Sequence, residues 1–471
     1  MTPRRPGFMR SLASLAGGAA AGQIVAVLAS PVVTRLYTPA EIGAFSVFST
    51  LAMLLNSTNS LRYEMAIPMA EDEDRARHLV WLCFLLVGGF SVLLAGASWA
   101  WGPAFCGLVK VPDLVPHLWM LPLTVAAAGA YEALNFQAIR RQGFGALAQA
   151  RVAQGLGMSG VQVGAGFLGA GTVGLVAGDL AGRVLSVLRL LRRDLFQGPF
   201  PWQGVRKAAK DFDRYPKYMA GASILNLAAI QVPFLLIPLY FGADMAGHYF
   251  LAYRTLFLPA SFVGTAISQV FLGEAAERAR EGEDLGRLTS RIFLLLAAVY
   301  LPVYIICTAG AGVLFPAVFG PRWSEAGRFA QILAPMTLLW SLARPICGML
   351  LVRDRLKESL AFTVFELAAT VGAIWAGHLS GSVERTALYV SGAGLAVSIT
   401  SIGRFLHAAG VQWGPVLRVF GTLTAFSVPL GLLVAVAART GSSLVTLGAA
   451  LAGFAAVGLA TFRFLRREGL L

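Results

Sequence analysis

Three arginines lie within or beside long apolar stretches of this sequence, where a cation needs either a function or a partner. They are Arg62 in "NSTNSLRYEMAIP", Arg254 in "HYFLAYRTLFLPASF" and Arg344 in "TLLWSLARPICGML". A charged side chain at mid-membrane depth costs about 3 kcal/mol on insertion scales. The guanidinium group has a planar fork of donors that matches a phosphate group, which lysine lacks. The three arginines are therefore candidate binding residues for an anionic cargo such as a lipid-linked pyrophosphate.

Each arginine also has a simpler interpretation. Arg254 lies roughly 10 Å inside the outer end of its predicted helix, at the limit of what snorkelling to the interface can cover. Arg62 could form an interfacial cluster with Glu64, which follows it closely. Arg344 is followed by Pro345, and a local break there would turn the arginine towards a cavity.

Polar and acidic residues accompany these arginines. Asn56 and Asn59 belong to the run "NSTNS", which predicts either the wall of a wet interior or hydrogen bonds between helices. Glu132 and Glu366 could each pair with an arginine or carry a coupling ion, H⁺ or Na⁺. We interpret pairing as the first choice for both carboxylates.

The remaining polar residues indicate neither catalysis nor metal binding. Asp179 precedes Arg183 by four residues, a spacing that predicts a local ion pair on one helix. No nucleophile and base, and no pair of carboxylates, is placed for chemistry, so we expect no enzymatic activity and no cofactor. The four cysteines have no metal-ligand spacing and predict small apolar packing residues. They are Cys83, Cys106, Cys307 and Cys347.

The composition shows which elements must position these side chains. Of the 471 residues, 57% are hydrophobic and 13% charged, whereas a soluble domain carries about 25% charged residues. Runs of about 20 apolar residues, enough to cross the hydrocarbon core, recur along the whole chain. The sequence therefore predicts an all-α polytopic membrane protein with fourteen spans. They cover 11–33, 42–62, 79–101, 114–138, 146–169, 172–191, 217–240, 247–272, 291–313, 326–351, 358–378, 384–406, 416–438 and 443–463.

The positive charge of the chain reports its topology. The net charge is +14, and 30 of the 38 lysines and arginines fall in the termini and in alternate loops. This is the positive-inside pattern, which places both termini in the cytoplasm. The partners indicated by this charge are anionic membrane lipids and not nucleic acid.

The sequence contains an internal repeat. "TRLYTPAEIGAFSVF" resembles "IPLYFGADMAGHYFLAY", and "EDEDRARHLVWLCFLLVGGF" aligns with "EGEDLGRLTSRIFLLLAAVY" at an offset of 210 residues. "AIRRQGFGALAQARV" aligns with "LLVRDRLKESLAFTV" at an offset of 212. Parallel repeats of this kind predict two six-helix lobes that rock around a central site. We expect an N-lobe at 1–191, a basic cytoplasmic linker at 192–216, a C-lobe at 217–406 and two appended helices within 416–463.

The elements "TRLYTPAEIG", "LRYEMAI" and the acidic tract "EDEDR" resemble the N-terminal signature of the polysaccharide or O-antigen flippases, which belong to the multidrug/oligosaccharidyl-lipid/polysaccharide exporter superfamily. The resemblance is clearest over residues 10–100 and continues more loosely through "LVRDRLKES".

The resemblance implies a flippase of the bacterial inner membrane. Such a protein moves oligosaccharide repeat units linked to undecaprenyl pyrophosphate from the cytoplasmic to the periplasmic leaflet, for surface polysaccharide such as O-antigen of lipopolysaccharide, or exopolysaccharide. It implies lipid-linked oligosaccharide as cargo, other polysaccharide assembly proteins as partners, and an anionic head held by cavity arginines. Two alternatives remain, an ion-coupled multidrug exporter of the same superfamily and a membrane glycan polymerase or ligase.

Overall fold

The computed structural model describes residues 8–191, 195, 200–260 and 264–467. Residues 192–194 and 196–199 of the predicted linker lie outside that part of the chain. Every regular element of the described residues is helical, which confirms the predicted all-α class. The chain divides into two compact units, Met1–Gly247 and His248–Leu471, which we call the N-terminal and the C-terminal unit.

Among its described residues, the first unit contains nine complete α-helices and two 3₁₀ helices, at Tyr63–Met69 and Pro112–His117. Among these helices, α1 packs along α5, α5 packs along α6, and α3 packs along α4. The α-helices are α1 (Phe8–Leu36), α2 (Pro39–Asn56), α3 (Glu73–Leu108), α4 (Met120–Arg140), α5 (Phe144–Phe167), α6 (Thr172–Leu190), α7 (Trp202–Asp211), α8 (Arg214–Gln231) and α9 (Pro233–Phe241).

The second unit begins within α10 and has a 3₁₀ turn at Pro321–Trp323. Its long helix α12 packs against α13, α17 and α18, and α16 packs against both α13 and α15. The helices are α10 (Ala243–Pro259), α11 (Thr265–Glu281), α12 (Leu285–Phe319), α13 (Ser324–Ile346), α14 (Gly348–Val352), α15 (Leu356–Leu379), α16 (Val383–Ala409), α17 (Trp413–Arg439) and α18 (Ser443–Arg467).

Nine helical segments in the described part of the chain are long and apolar enough to cross a membrane. They include α2, α3, α12 and α15 to α18. This confirms a polytopic membrane protein, and the number of fourteen spans stays a prediction. The two predicted C-terminal spans, 416–438 and 443–463, fall within α17 and α18.

Acidic residues of the repeated motifs begin two of the helices. Asp72 caps α3 by accepting a hydrogen bond from the Arg75 backbone N–H at 2.6 Å. Asp284, in the second copy, caps α12 by accepting from the Gly286 N–H at 2.8 Å. Such caps satisfy backbone donors at a helix start and complement its positive end.

The predicted second span, 42–62, is interrupted in the structure. Helix α2 ends at Asn56, six turn residues follow, and the 3₁₀ helix begins at Tyr63. Within the interruption, Leu61 and Arg62 adopt left-handed backbone angles, with φ of 52° and 67°. Short polar side chains compete with the helix for backbone hydrogen bonds, and this competition accounts for the break at "NSTNS".

The two copies of the "LY" joint meet inside the N-terminal unit. A Cβ atom at Gly43 would lie 1.8 Å from the Ala243 carbonyl oxygen, and one at Gly247 would lie 1.9 Å from the Pro39 carbonyl oxygen. These distances are far below van der Waals contact, so only glycine allows the first turns of α2 and α10 to approach so closely. The repeated glycines are therefore required by backbone packing.

Candidate functional site

The first candidate site, in the N-terminal unit, is built on the interruption after α2. Arg62 Nη1 lies 3.4 Å from Glu64 Oε1, and the Ser60 hydroxyl donates to Glu64 Oε2. The Glu64 side chain is 4% exposed, whereas that of Arg62 is 26% exposed. Arg62 Nε is buried and has no hydrogen-bond partner among the described residues. The arginine is thus the accessible member of the pair and keeps a donor available.

The carboxylate of Glu132, on α4, brings further charges into this site. It lies within electrostatic range of Arg62, Glu64, Arg151 and Arg183. Glu132 therefore lies near arginines, and its two predicted roles stay predictions.

One contact between an arginine and an aromatic ring and one ion pair involve the arginines near Glu132. The Arg151 guanidinium of α5 lies over the Tyr131 ring, 5.4 Å from its centroid. Arg183 Nε lies 2.9 Å from Asp179 Oδ2 on α6, which confirms the ion pair predicted from their spacing. The N-terminal unit thus gathers three arginines and three carboxylates, a balanced set of charges.

The two asparagines of the polar run are arranged differently from each other. Asn59 is 2% exposed, and its amide group donates to the Asn56 side chain at 3.0 Å and to the Val125 carbonyl at 3.1 Å. Gly129 of α4 makes room for Asn59, since a Cβ atom there would lie 2.4 Å from its nitrogen. The contact joins the interrupted segment to the middle of α4. Asn59 thus links the turn after α2 to α4, and it keeps a buried Oδ1 atom without a partner among the described residues.

The second candidate site, in the C-terminal unit, is built on α13 and α15. Arg344 Nη2 lies 3.8 Å from Glu366 Oε2, with side-chain exposures of 29% and 23%. Trp340, one turn before Arg344, donates its indole N–H to Glu366 Oε1 at 3.1 Å. Its ring also lies under the guanidinium, with 4.6 Å between the Arg344 carbon and the ring centroid. Arg344 Nη2 is buried without a hydrogen-bond partner among the described residues.

The end of α13 explains how Arg344 is presented. The helix ends at Ile346, directly after Pro345, and the short helix α14 begins at Gly348. Proline lacks a backbone N–H and disfavours a continuous helix. The break predicted at this position is present, two residues after the arginine.

A row of aromatic rings on α10 begins next to Trp340. Phe257 lies 4.9 Å from Trp340 between ring centroids, Tyr253 stacks on Phe257 at 5.8 Å, and Tyr249 stacks on Tyr253 at 6.3 Å. The three α10 rings recur every four residues and therefore share one face of that helix. They form a rigid wall beside the second site.

The third predicted arginine, Arg254, lies on α10. Its side chain is exposed, and its guanidinium lies 5.9 Å from the centroid of the Phe250 ring. Its predicted role in binding cargo stays a prediction.

Sequence reasoning missed three contributors. Glu64 was considered only as part of an interfacial cluster, and Ser60 and Trp340 were not assigned a role in holding a carboxylate. One signal was available for the second site, because extending the repeat offset of 212 places Glu132 opposite Arg344. An ionisable residue at the same position in both copies marks that position as a special one.

The comparisons with known proteins agree with this architecture. Residues 32–328 match the family model described as polysaccharide biosynthesis protein. The chain belongs to the polysaccharide biosynthesis protein family. This confirms the resemblance indicated by "TRLYTPAEIG" and "LRYEMAI". With its apolar helices, it also makes the chain a multi-pass bacterial membrane protein.

Relatives within this family are distant. The chain is 25% identical over 174 residues to the lipopolysaccharide biosynthesis protein WzxC of Escherichia coli K12, which covers 37% of this chain and 35% of WzxC. It is 22% identical over 373 residues to the succinoglycan biosynthesis transport protein ExoT of Rhizobium meliloti, with 76% and 72% covered. The match to WzxC thus spans about a third of that protein's length.

Solved structures show the same fold. A lipid II flippase MurJ in an inward closed conformation superimposes with a TM-score of 0.76 at 10% identity, covering 96% of this chain and 99% of that one. An inward-facing multidrug resistance transporter of the MATE family gives a TM-score of 0.58 at 14% identity and covers 87% and 96%. The polysaccharide biosynthesis family member described here therefore has the fold of these transporters.

Proposed function

We propose that this protein is a flippase for oligosaccharide repeat units linked to undecaprenyl pyrophosphate. It moves them from the cytoplasmic to the periplasmic leaflet by alternating access, for surface polysaccharide biosynthesis, and both of its termini are cytoplasmic. A coupling ion, H⁺ or Na⁺, and other polysaccharide assembly proteins are its further partners. The membership of the chain in the polysaccharide biosynthesis family supports this proposal.

One observation carries the proposal from the family to a cargo. Arg62 and Arg344 each keep a buried guanidinium N–H that no described residue accepts. A buried donor without a partner is costly, and a guanidinium group binds phosphate oxygens particularly well. Arginines in this state, within a MurJ-like fold, match a cargo with a pyrophosphate head.

A multidrug exporter is the second candidate, because MATE structures share the fold. The flippase is favoured by the extent of the structural match, 96% of this chain for MurJ and 87% for the MATE transporter. Catalysis forms no part of the proposal, and formation of a glycan polymer by the purified protein would contradict it.

The test is a gene disruption followed by reconstitution. A disruptant should lose its surface polysaccharide and accumulate lipid-linked repeat units on the cytoplasmic side. Purified protein in liposomes should then make a labelled undecaprenyl-pyrophosphate glycan accessible to an enzyme added to the opposite side. Normal surface polysaccharide in the disruptant, or no transfer in the liposomes, would count against the flippase.

A further inference from the structure

The two arginine–glutamate pairs are loose. The closest N–O distances are 3.4 Å for Arg62 with Glu64 and 3.8 Å for Arg344 with Glu366. Charge-assisted hydrogen bonds between arginine and carboxylate measure about 2.7–2.9 Å. By comparison, Arg183 and Asp179 lie at 2.9 Å in the same fold. Glu64 accepts one long hydrogen bond from Arg62 Nη1, and Arg62 Nε and Arg344 Nη2 remain buried without a hydrogen-bond partner among the described residues.

Each of the two carboxylates has a second, neutral donor. The Ser60 hydroxyl donates to Glu64, and the Trp340 indole N–H donates to Glu366 at 3.1 Å. These donors would remain in place if the arginine moved to another anion. The carboxylate would then keep a hydrogen bond, which lowers the cost of separating the pair.

Further ionisable groups lie near the N-terminal pair. Glu64 faces Arg62 and also lies within electrostatic range of Glu132 and Cys83. Beyond these, Arg151 and Arg183 lie around Glu132. The N-terminal pair thus lies among further arginines and carboxylates.

The C-terminal pair has two titratable neighbours that can be named. Arg344 and Glu366 both lie within electrostatic range of Tyr253 and Cys347. With those two groups uncharged, the carboxylate of Glu366 offsets the charge of Arg344. An anionic cargo approaching either pair therefore meets an arginine whose charge is already compensated.

We propose that Glu64 and Glu366 are release carboxylates, internal anions that compete with the pyrophosphate head of the cargo for Arg62 and Arg344. This inference rests on the proposed function. With cargo bound, the arginine turns its unpartnered donor to the phosphate oxygens. When the cargo leaves, the arginine pairs with the carboxylate again. The competition keeps binding weak enough for release.

The test measures binding of undecaprenyl pyrophosphate, and of inorganic pyrophosphate as the head alone, to the full-length protein in detergent. The variants are Glu64→Gln and Glu366→Gln, which keep the size of the side chain and remove its charge. Control variants are Glu71→Gln and Glu325→Gln, whose carboxylates form exposed ion pairs with Arg75 and Arg328.

We expect Glu64→Gln and Glu366→Gln to bind the pyrophosphate probes roughly tenfold tighter than wild type, because a like charge near the bound anion has been removed. Glycan export should fall at the same time, since release becomes slow. The control variants should change neither quantity. A purely structural role for the glutamates predicts the opposite sign, a loss of binding.

Each outcome decides between the proposals. Wild-type binding with unchanged or weaker binding by folded Gln variants overturns the release carboxylates and leaves the flippase intact. Failure of wild type and variants alike to bind undecaprenyl pyrophosphate overturns both.

If the Gln variants do not fold, tryptophan fluorescence of wild type and Trp340→Phe during titration with undecaprenyl pyrophosphate replaces them. A signal that depends on Trp340 is expected, because Arg344 leaves its ring. Its absence overturns the proposal.

Discussion

Helices α4 and α5 and their repeat counterparts α13 and α15 carry the same kinds of side chain with the charges exchanged. In each copy, an arginine lies over an aromatic ring of the first helix and a glutamate completes the set. In the first copy the glutamate is on α4 and the arginine on α5, whereas in the second the arginine is on α13 and the glutamate on α15. The residues are Tyr131, Glu132 and Arg151, and Trp340, Arg344 and Glu366.

The exchange shows which property the two copies share. Both copies combine an arginine with a glutamate and place an aromatic ring against the guanidinium. The helix that carries the arginine and the helix that carries the glutamate are exchanged between the copies. A buried or half-buried charge needs a partner, and either polarity supplies it. What differs is the neighbourhood, because Arg62 and Glu64 join the first copy and an aromatic row joins the second.

The largest effect is expected from forcing the second copy to carry two like charges. Arg344→Glu places a carboxylate beside Glu366, and should destabilise the C-terminal unit by about 3 kcal/mol, the lower end of the range for broken buried pairs. The exchange Arg344→Glu with Glu366→Arg reproduces the polarity of the first copy and should recover most of the folded protein. Folded yield and thermal melting in detergent measure both effects.

The same exchange separates stability from transport. With the arginine moved to α15, glycan export should stay low although the protein is folded. Full export by the exchanged protein would show that only neutrality matters at this position.

Removing each arginine alone should give the next largest effect. Arg62→Ala and Arg344→Ala should each lower glycan export about 10- to 100-fold, as expected for the loss of a hydrogen bond to a charged group. Arg328→Ala is the matched control, since Arg328 is 63% exposed in an ion pair. Export is measured by complementation of the disruptant, with protein levels checked by immunoblot.

The lysine variants sharpen this comparison. Arg344→Lys should retain less export than Arg62→Lys, because the guanidinium stacks on Trp340 and lysine lacks its planar shape. Equal export by both lysine variants would contradict a role for the ring.

The smallest effects concern the neutral donors. Ser60→Ala should lower the free energy of unfolding by about 1–2 kcal/mol, because Glu64 is nearly inaccessible to water and loses a hydrogen bond. Trp340→Phe should cost less, since Glu366 is 23% exposed and water can replace the indole donor. Melting temperatures of the two variants test which substitution destabilises the protein more. A larger decrease for Trp340→Phe than for Ser60→Ala would contradict the prediction.

Much of the fold was accessible from the sequence, because the signals are local or compositional. Apolar runs predicted helices and a membrane. The interruption after Asn56 was missed, since the polar run "NSTNS" was included in one predicted span, 42–62, and hydropathy does not report backbone angles. The burial of Glu64 depends on that interruption and was therefore missed with it.

By itself, the sequence determined the membrane class, the repeat, the family and the Asp179–Arg183 pair. Each depends on composition, on order along the chain, or on residues one helical turn apart. Only the tertiary structure decided that Arg344 pairs with Glu366, that Glu132 lies among arginines, and that Gly43 packs against the start of α10. These contacts join separate helices, and they depend on how each helix is rotated about its axis. Successive side chains point about 100° apart around a helix, so a small change in rotation brings different residues into contact.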